Sequence, residues 1–407
     1  MEELICLAAL LVFVYGLVSA LAARSPITAP MVFVAVGVLA SPLAFDLFEA
    51  EVDSEGVQLI AEITLILILF SDASTIDLRR LGKDFGTPLR LLAIGLPLTM
   101  ILGTLVALPL FPGISPWWIA LMAFVLSPTD AALGQAVVTS ERVPPPVRDA
   151  IGVESGLNDG IALPPILACL AAVAAAPGTR LDFSYWSHFA LKQMAYGPLA
   201  GAVVGWGGGL LIDQCARRRW MAPVFQRLAS ISLAILSYSL AEQLGGNGFI
   251  AAFFGGLMLG ARTPVVRERI QEFGEAEGQQ LSLFVFLVFG MVMVPAIWRY
   301  WDAAAWVYAL LSLTLIRMLP VALCLWGSQL SLPTVGFIGW FGPRGIASIL
   351  YTLMVLGKVG PAGHERVFSV IGLTVLISVL LHGLSAVPLS TWYGRHAWRK
   401  TGNATDR

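Results

Sequence analysis

The sequence predicts an all-α polytopic membrane protein of about thirteen transmembrane helices, and three observations carry that prediction. Of 407 residues only 13% are charged against 57% hydrophobic, too little charge to clothe a water-soluble fold. The mean hydropathy of +0.80 needs apolar residues spread along the whole chain, which no single anchor could supply. Polar breaks then divide the chain into thirteen stretches of the length that crosses a hydrocarbon core of about 30 Å.

In order, the spans lie near 3–22, 27–43, 57–76, 88–111, 115–138, 147–174, 189–211, 226–244, 247–261, 279–298, 303–326, 333–356 and 366–393. The first follows acidic Met1-Glu2-Glu3 instead of a basic region and lacks a convincing cleavage site, so it reads as a retained helix. The third carries Asp72 inside an apolar run, and the fifth, sixth and twelfth hold the polar motifs discussed below. In the seventh, Gly201-x-x-x-Gly205-x-x-x-Gly209 lets a neighbouring helix approach closely, and packing within the chain is preferred over a dimer contact. Trp117, Trp118, Trp298, Trp301 and Trp392 sit at span ends as expected interface anchors. The acidic stretch Glu49 to Glu55 reads as a solvated loop. No soluble domain is expected.

Thirteen spans put the termini on opposite sides, and the basic residues say which side is which. With the N-terminus outside, the inner segments hold Arg24, Arg79, Arg80, Lys83, Arg90, Arg142, Arg148, Arg217, Arg218, Arg219, Arg227, Arg262, Arg267, Arg269, Arg395, Arg399, Lys400 and Arg407. The outer ones hold only Arg180, Lys192, Arg299, Lys358 and Arg366. The C-terminus, with a short tail at 394–407, is therefore expected in the cytoplasm.

Composition excludes several function classes. With 25 basic and 26 acidic residues there is no basic surface for nucleic acid. Cys6, Cys169, Cys215 and Cys324 have no metal or redox spacing, and the four histidines form no HExxH. Without a Walker loop or a strand-following GxGxxG, no cofactor is expected, and energy would come from an ion gradient. The sequon at Asn403 reads as chance.

Charges inside the spans cost several kcal/mol each unless paired or wetted, so they mark function. Asp72, Asp130, Glu154, Asp159 and Arg344 lead this set. Glu62, Glu242 and Arg317 are weaker members, the two glutamates being close enough to helix ends to snorkel.

In the fifth span, Ser127-Pro128-Thr129-Asp130 interrupts an apolar helix. Pro128 has no amide hydrogen, so backbone carbonyls are released in mid-membrane beside a hydroxyl and a carboxylate. In the sixth span, Glu154 and Asn158 stack one turn apart, as do Ser155 and Asp159. At 1.5 Å per residue, Asp159 lies about 18 Å from the inner start of its helix and Asp130 about 22 Å from the outer start of its own. Both depths fall near the bilayer centre. Hard oxygen ligands suit a small cation, and a carboxylate there can take a proton instead, because removal from water favours its neutral form. The twelfth span has a second break at Gly342-Pro343-Arg344-Gly345, seven spans after the first. Six spans plus one linker give an inverted repeat: about 1–175, a linker helix at about 189–211, and about 226–393. Arg344 is expected to neutralise carboxylate charge or helix dipoles, with Glu154 as partner.

Ser127-Pro-Thr-Asp130, Glu154-Ser-Gly-Leu-Asn-Asp159, Phe341-Gly-Pro-Arg-Gly345 and Leu67-Ile-Leu-Phe-Ser-Asp72-Ala together resemble the first monovalent cation/proton antiporter family, the NhaP-like sodium/proton exchangers, over nearly the whole chain. The resemblance implies a homodimer of thirteen-helix subunits, crossed broken helices 5 and 12, and alternating access. It implies that Asp159 binds Na⁺ and H⁺ in turn, with Thr129, Ser155 and Asp130 lining the site and Asn158, Glu154 and Arg344 supporting it. Asn158, where electrogenic relatives carry Asp, suggests electroneutral one-for-one exchange. Asp72 stands where many members carry Glu, which weakens its place in the site. The absence of a long regulatory tail favours a prokaryotic inner-membrane protein. Potassium/proton exchange is the nearest alternative, followed by a cation channel or a sensor. An intramembrane enzyme is disfavoured, because no nucleophile and base pair is evident.

Overall fold

The computed structural model describes residues 2–22, 25–47, 55–76, 86–175, 182–263 and 267–405. Arg24, Arg79, Arg80, Lys83, Arg180, Arg407 and the acidic stretch before Glu55 lie outside these residues. Among the described residues every regular element is helical. The chain runs through α1 (Glu2–Ala22), α2 (Ala29–Ala40), α3 (Glu55–Thr75), α4 (Gly86–Leu110), α5 (Pro116–Val125), α6 (Ala131–Val138) and α7 (Pro145–Ala174). It continues through α8 (Phe183–Arg217), α9 (Pro223–Gln243), α10 (Gly248–Arg262), α11 (Arg267–Val288, extended to Ile297), α12 (Ala303–Cys324), α13 (Leu332–Trp340), α14 (Ile346–Val359) and α15 (Glu365–Thr405). Among the described residues eight helices are long and apolar enough to cross a membrane, and five shorter apolar ones complete the thirteen expected spans. Two spans are broken as expected, the fifth into α5 and α6 and the twelfth into α13 and α14. The segment expected as a tail continues α15 to Thr405.

Local chemistry explains many helix boundaries. Asp182, Asn247 and Asp302 are N-caps whose side-chain oxygens accept the amides of Tyr185, Ile250 and Ala305, satisfying donors that the first turn leaves open. Pro116 and Pro223 occupy first helical positions, where a missing N–H costs nothing. Three helices each contain one widened π turn, at Leu91–Gly95, Lys192–Tyr196 and Phe289–Met293. Each turn ends two residues before a proline: Pro97, Pro198 and Pro295. The pyrrolidine ring clashes with the carbonyl four residues back, which lies inside the widened turn, so the extra width relieves the clash.

The helices form two compact units, each drawing on both expected repeats: one contains 1–58, 86–155 and 282–407, the other 59–85 and 156–281. In the first, Leu91, Val137, Ile151, Val321, Phe337, Phe341 and Tyr393 form a core, with the Phe337 and Tyr393 rings stacked at 4.3 Å. In the second, α8 lies directly on α10. A Cβ on Gly201 or Gly205 would strike the backbone of Ala251 or Gly255, so the glycine stripe packs within the chain, as expected. Gly205→Leu should therefore lower the melting temperature in detergent by about 1–4 °C, since overpacking against rigid backbone costs about 1–3 kcal/mol. Gly207→Leu, on the same helix with nothing within 4 Å of its Cβ position, should melt like the parent. Equal melting of the two variants would contradict this packing.

One interface expectation is corrected. Trp118 is buried, its ring stacked on His364 at 3.9 Å and edge-on to Phe368. It is held by aromatic neighbours and does not face the membrane surface, whereas Trp117, Trp298 and Trp392 are exposed. Glu62 and Glu242 have specific partners instead of free water alone: Glu62 accepts the Tyr238 hydroxyl and Glu242 accepts the Gly248 amide at 2.8 Å.

Candidate functional site

The two helix breaks meet inside the first unit. Around Pro128 several of the loosened carbonyls find side-chain donors, as buried backbone favours. Ser127 Oγ donates to the Ala123 carbonyl at 2.7 Å, and Ser348 Oγ of α14 donates to the Val125 carbonyl at 2.8 Å. Arg344 Nη1 donates to the carbonyls of Ser127 at 2.6 Å and Pro128 at 3.1 Å. A fully buried guanidinium thus lies at the C-terminal end of α5, where the helix dipole is negative.

Asp130 serves the opposite poles. Its Oδ1 accepts the amides of Ala132 at 2.7 Å and Leu133 at 3.2 Å, capping α6. Its Oδ2 accepts the amide of Ile346 at 2.5 Å, capping α14. Its own amide donates to the Pro343 carbonyl at 2.9 Å. One buried carboxylate therefore caps the N-termini of two half-helices, the positive end of each dipole.

The expected pairing of Arg344 with Glu154 is corrected. Glu154 is held bidentately by Arg317, with Nη1 to Oε1 at 2.6 Å and Nη2 to Oε2 at 2.8 Å, both residues being almost fully buried. The planar guanidinium matches the carboxylate fork. The reason lies in the break: the carbonyls freed at Ser127 and Pro128 occupy Arg344, so Arg317 of α12, three residues past that helix's own interruption at Thr314, is left for the acid.

The final helix supports the second break through residues that sequence reading passed over. Ser378 Oγ accepts the Arg344 amide at 2.7 Å, and His382 Nε2 donates to the Trp340 carbonyl at 2.9 Å, at the C-terminal end of α13. With that tautomer, His382 Nδ1 can accept the Ser378 hydroxyl at 3.1 Å. Their i, i+4 spacing in α15 was visible in the sequence, but no charge singled them out.

Of the expected ligands, Thr129 and Ser155 are brought together, their buried hydroxyl oxygens 3.1 Å apart. Asn158 and Asp159 are buried on the next turn of α7, in the part of that helix assigned to the second unit. In that unit the Asp72 carbonyl lies 3.8 Å from the Cβ position of Gly156, and Asp72 itself is half-buried. Arg317, ranked low from sequence, is the main functional-region residue that was undervalued.

This is a polytopic membrane fold organised around two crossed, proline-broken helices with buried carboxylates and arginines at the crossing. The chain belongs to the sodium/hydrogen exchanger transmembrane family, whose model matches residues 8–392. It is 25% identical over 389 residues to a K(+)/H(+) antiporter NhaP2 of Shewanella baltica, covering 93% of this chain and 64% of that protein. It is 28% identical over 346 residues to a Na(+)/H(+) antiporter NhaP of Pseudomonas aeruginosa, covering 79% of this chain and 78% of that one. The fold matches the solved structure of the sodium proton antiporter MjNhaP1 from Methanocaldococcus jannaschii with a TM-score of 0.77, at 20% identity over 96% of this chain and 98% of the other.

Proposed function

We propose that this chain is a secondary antiporter that exchanges Na⁺ or Li⁺ for H⁺, with cation and proton competing for Asp159 as access alternates. The observation that carries the reading is the buried Thr129–Ser155 hydroxyl pair one helical turn before buried Asp159, beside a proline break that loosens backbone carbonyls. Thr129, Ser155 and Asp159 supply hard oxygen ligands. Asp130 and Arg344 hold the crossing in shape by neutralising helix ends, Asn158 precedes Asp159 in the chain, and the Asp72 carbonyl borders Gly156 on the same helix. Family membership and the names of the relatives support the same reading. Exchange is one-for-one and electroneutral, since Asn158 adds no second titratable carboxylate next to Asp159. The protein works without a bound cofactor and catalyses no bond-making reaction. It sits as a homodimer in a prokaryotic inner membrane with its N-terminus outside.

The test is an imposed pH gradient across proteoliposomes. Added Na⁺ or Li⁺ should collapse it, and Asp159→Asn should abolish the collapse. An Asp159→Asn variant that exchanges normally would overturn the site. Because several relatives carry names that specify K⁺, the same assay with K⁺ distinguishes the potassium reading. A current without proton coupling would point to a channel, and an intact gradient with all three cations would refute exchange.

A further inference from the structure

The second unit holds a small polar cavity that the exchange site does not use. Its volume is about 10 Å³, and Ser71, Ser74, Ser230 and Glu277 supply its polar lining. That is room for about one water-sized particle.

For two of the three serines, the hydrogen bonds already made limit what they can offer a guest. Ser74 Oγ donates its one hydrogen to the Ser71 carbonyl at 2.7 Å, and Ser230 Oγ donates its own to the Arg227 carbonyl at 2.7 Å. What these hydroxyls can offer elsewhere is lone pairs. An ionised Glu277 is likewise an acceptor only. A one-particle cavity edged by such oxygens suits a small cation, or a water that donates its hydrogens, and is hostile to an anion. Room beside Ser71 exists because position 274 has no side chain: a Cβ there would stand 2.5 Å from Ser71 Oγ.

The place of the cavity connects it with transport. Ser71 and Ser74 flank Asp72, whose carbonyl borders Gly156, three residues before Asp159, all in the same unit. Ser74 is the penultimate residue of α3, and Ser230 lies seven residues, about 10 Å, into α9. The cavity is therefore near the membrane face that carries Arg217, Arg218 and Arg219, the cytoplasmic face in the proposed orientation.

We propose that this cavity is a second, weak site for a partly dehydrated monovalent cation, where the ion pauses between the Arg217 face and Asp159. The inference rests on the antiporter reading. Removing the charge of Glu277 weakens capture from one side of the membrane only. In proteoliposomes of known orientation, with ²²Na⁺ presented to either face, Glu277→Gln should raise the half-saturating Na⁺ concentration on the Arg217 face roughly fivefold, as expected for loss of one charged ligand. The other face and the rate at saturation should be unchanged, Glu277→Asp should restore most of the affinity, and Ser230→Ala should shift it in the same direction. A structure determined in Tl⁺ should show the ion between Ser230 and Glu277, and Glu277→Gln should lose it. Parent protein that fails to exchange any cation refutes the antiporter reading, while the Tl⁺ experiment still decides the cavity. Equal effects on both faces, or a cavity that holds only water in Tl⁺, would overturn this proposal.

Discussion

Glu154→Gln should destabilise the protein by about 3–5 kcal/mol, because it strands the buried positive charge of Arg317 without its counter-ion. Thermal unfolding in detergent would register this as a large fall in melting temperature. The double variant Glu154→Gln, Arg317→Met should recover most of that loss, since exchanging a buried ion pair for apolar volume is often neutral or stabilising. The expected signature is non-additivity: two harmful single changes whose combination is mild. A Glu154→Gln variant that melts like the parent would mean that the pair does not hold α7 to α12. If the double variant also exchanges cations at close to the parent rate, the pair is a structural clamp and not part of the ion's coordination.

Gly345→Ala should reduce exchange on the order of a hundredfold while the protein still folds. The added methyl would land on Asp130 Oδ2, with Asp130 Cγ at 2.6 Å and Leu133 Cδ1 at 2.8 Å from the new carbon. The carboxylate must move, and the caps on α6 and α14 loosen together. A hydrogen bond to a charged group is worth about 1.5–3 kcal/mol, so two weakened caps account for an effect of that order. Initial rates in proteoliposomes at matched protein content provide the measurement. Unchanged exchange by Gly345→Ala would show that Asp130 can relinquish one helix end without consequence.

What could be read from the sequence follows from the range over which each signal acts. Pro128 and Gly342-Pro343 break helices through contacts within one turn, so both interruptions were legible and the structure has them at those residues. The thirteen spans were legible for a similar reason: a bilayer imposes a length on every helix separately. The partner of Glu154 was not. Arg317 and Arg344 lie 163 and 190 residues from it, and the choice depends on which guanidinium the freed carbonyls of Ser127 and Pro128 engage. Trp118 was misplaced because closeness to a span end says nothing of what stands opposite, here His364. Ser378 and His382 were passed over because, in a helix of ordinary apolar composition, their task is defined only by the backbone they face.

The double duty of Asp130 binds two distant stretches of chain to a common history. Its two oxygens cap the starts of α6 and α14, and the Ile346 amide that it accepts lies 216 residues further along the chain. A shift of register, an inserted residue or a relocated break in either half would draw the carboxylate away from the other. Neither half of the chain can therefore drift alone at this point: a change tolerated in one requires an answering change in the other, and the crossing is inherited as a single unit although it is written in two places.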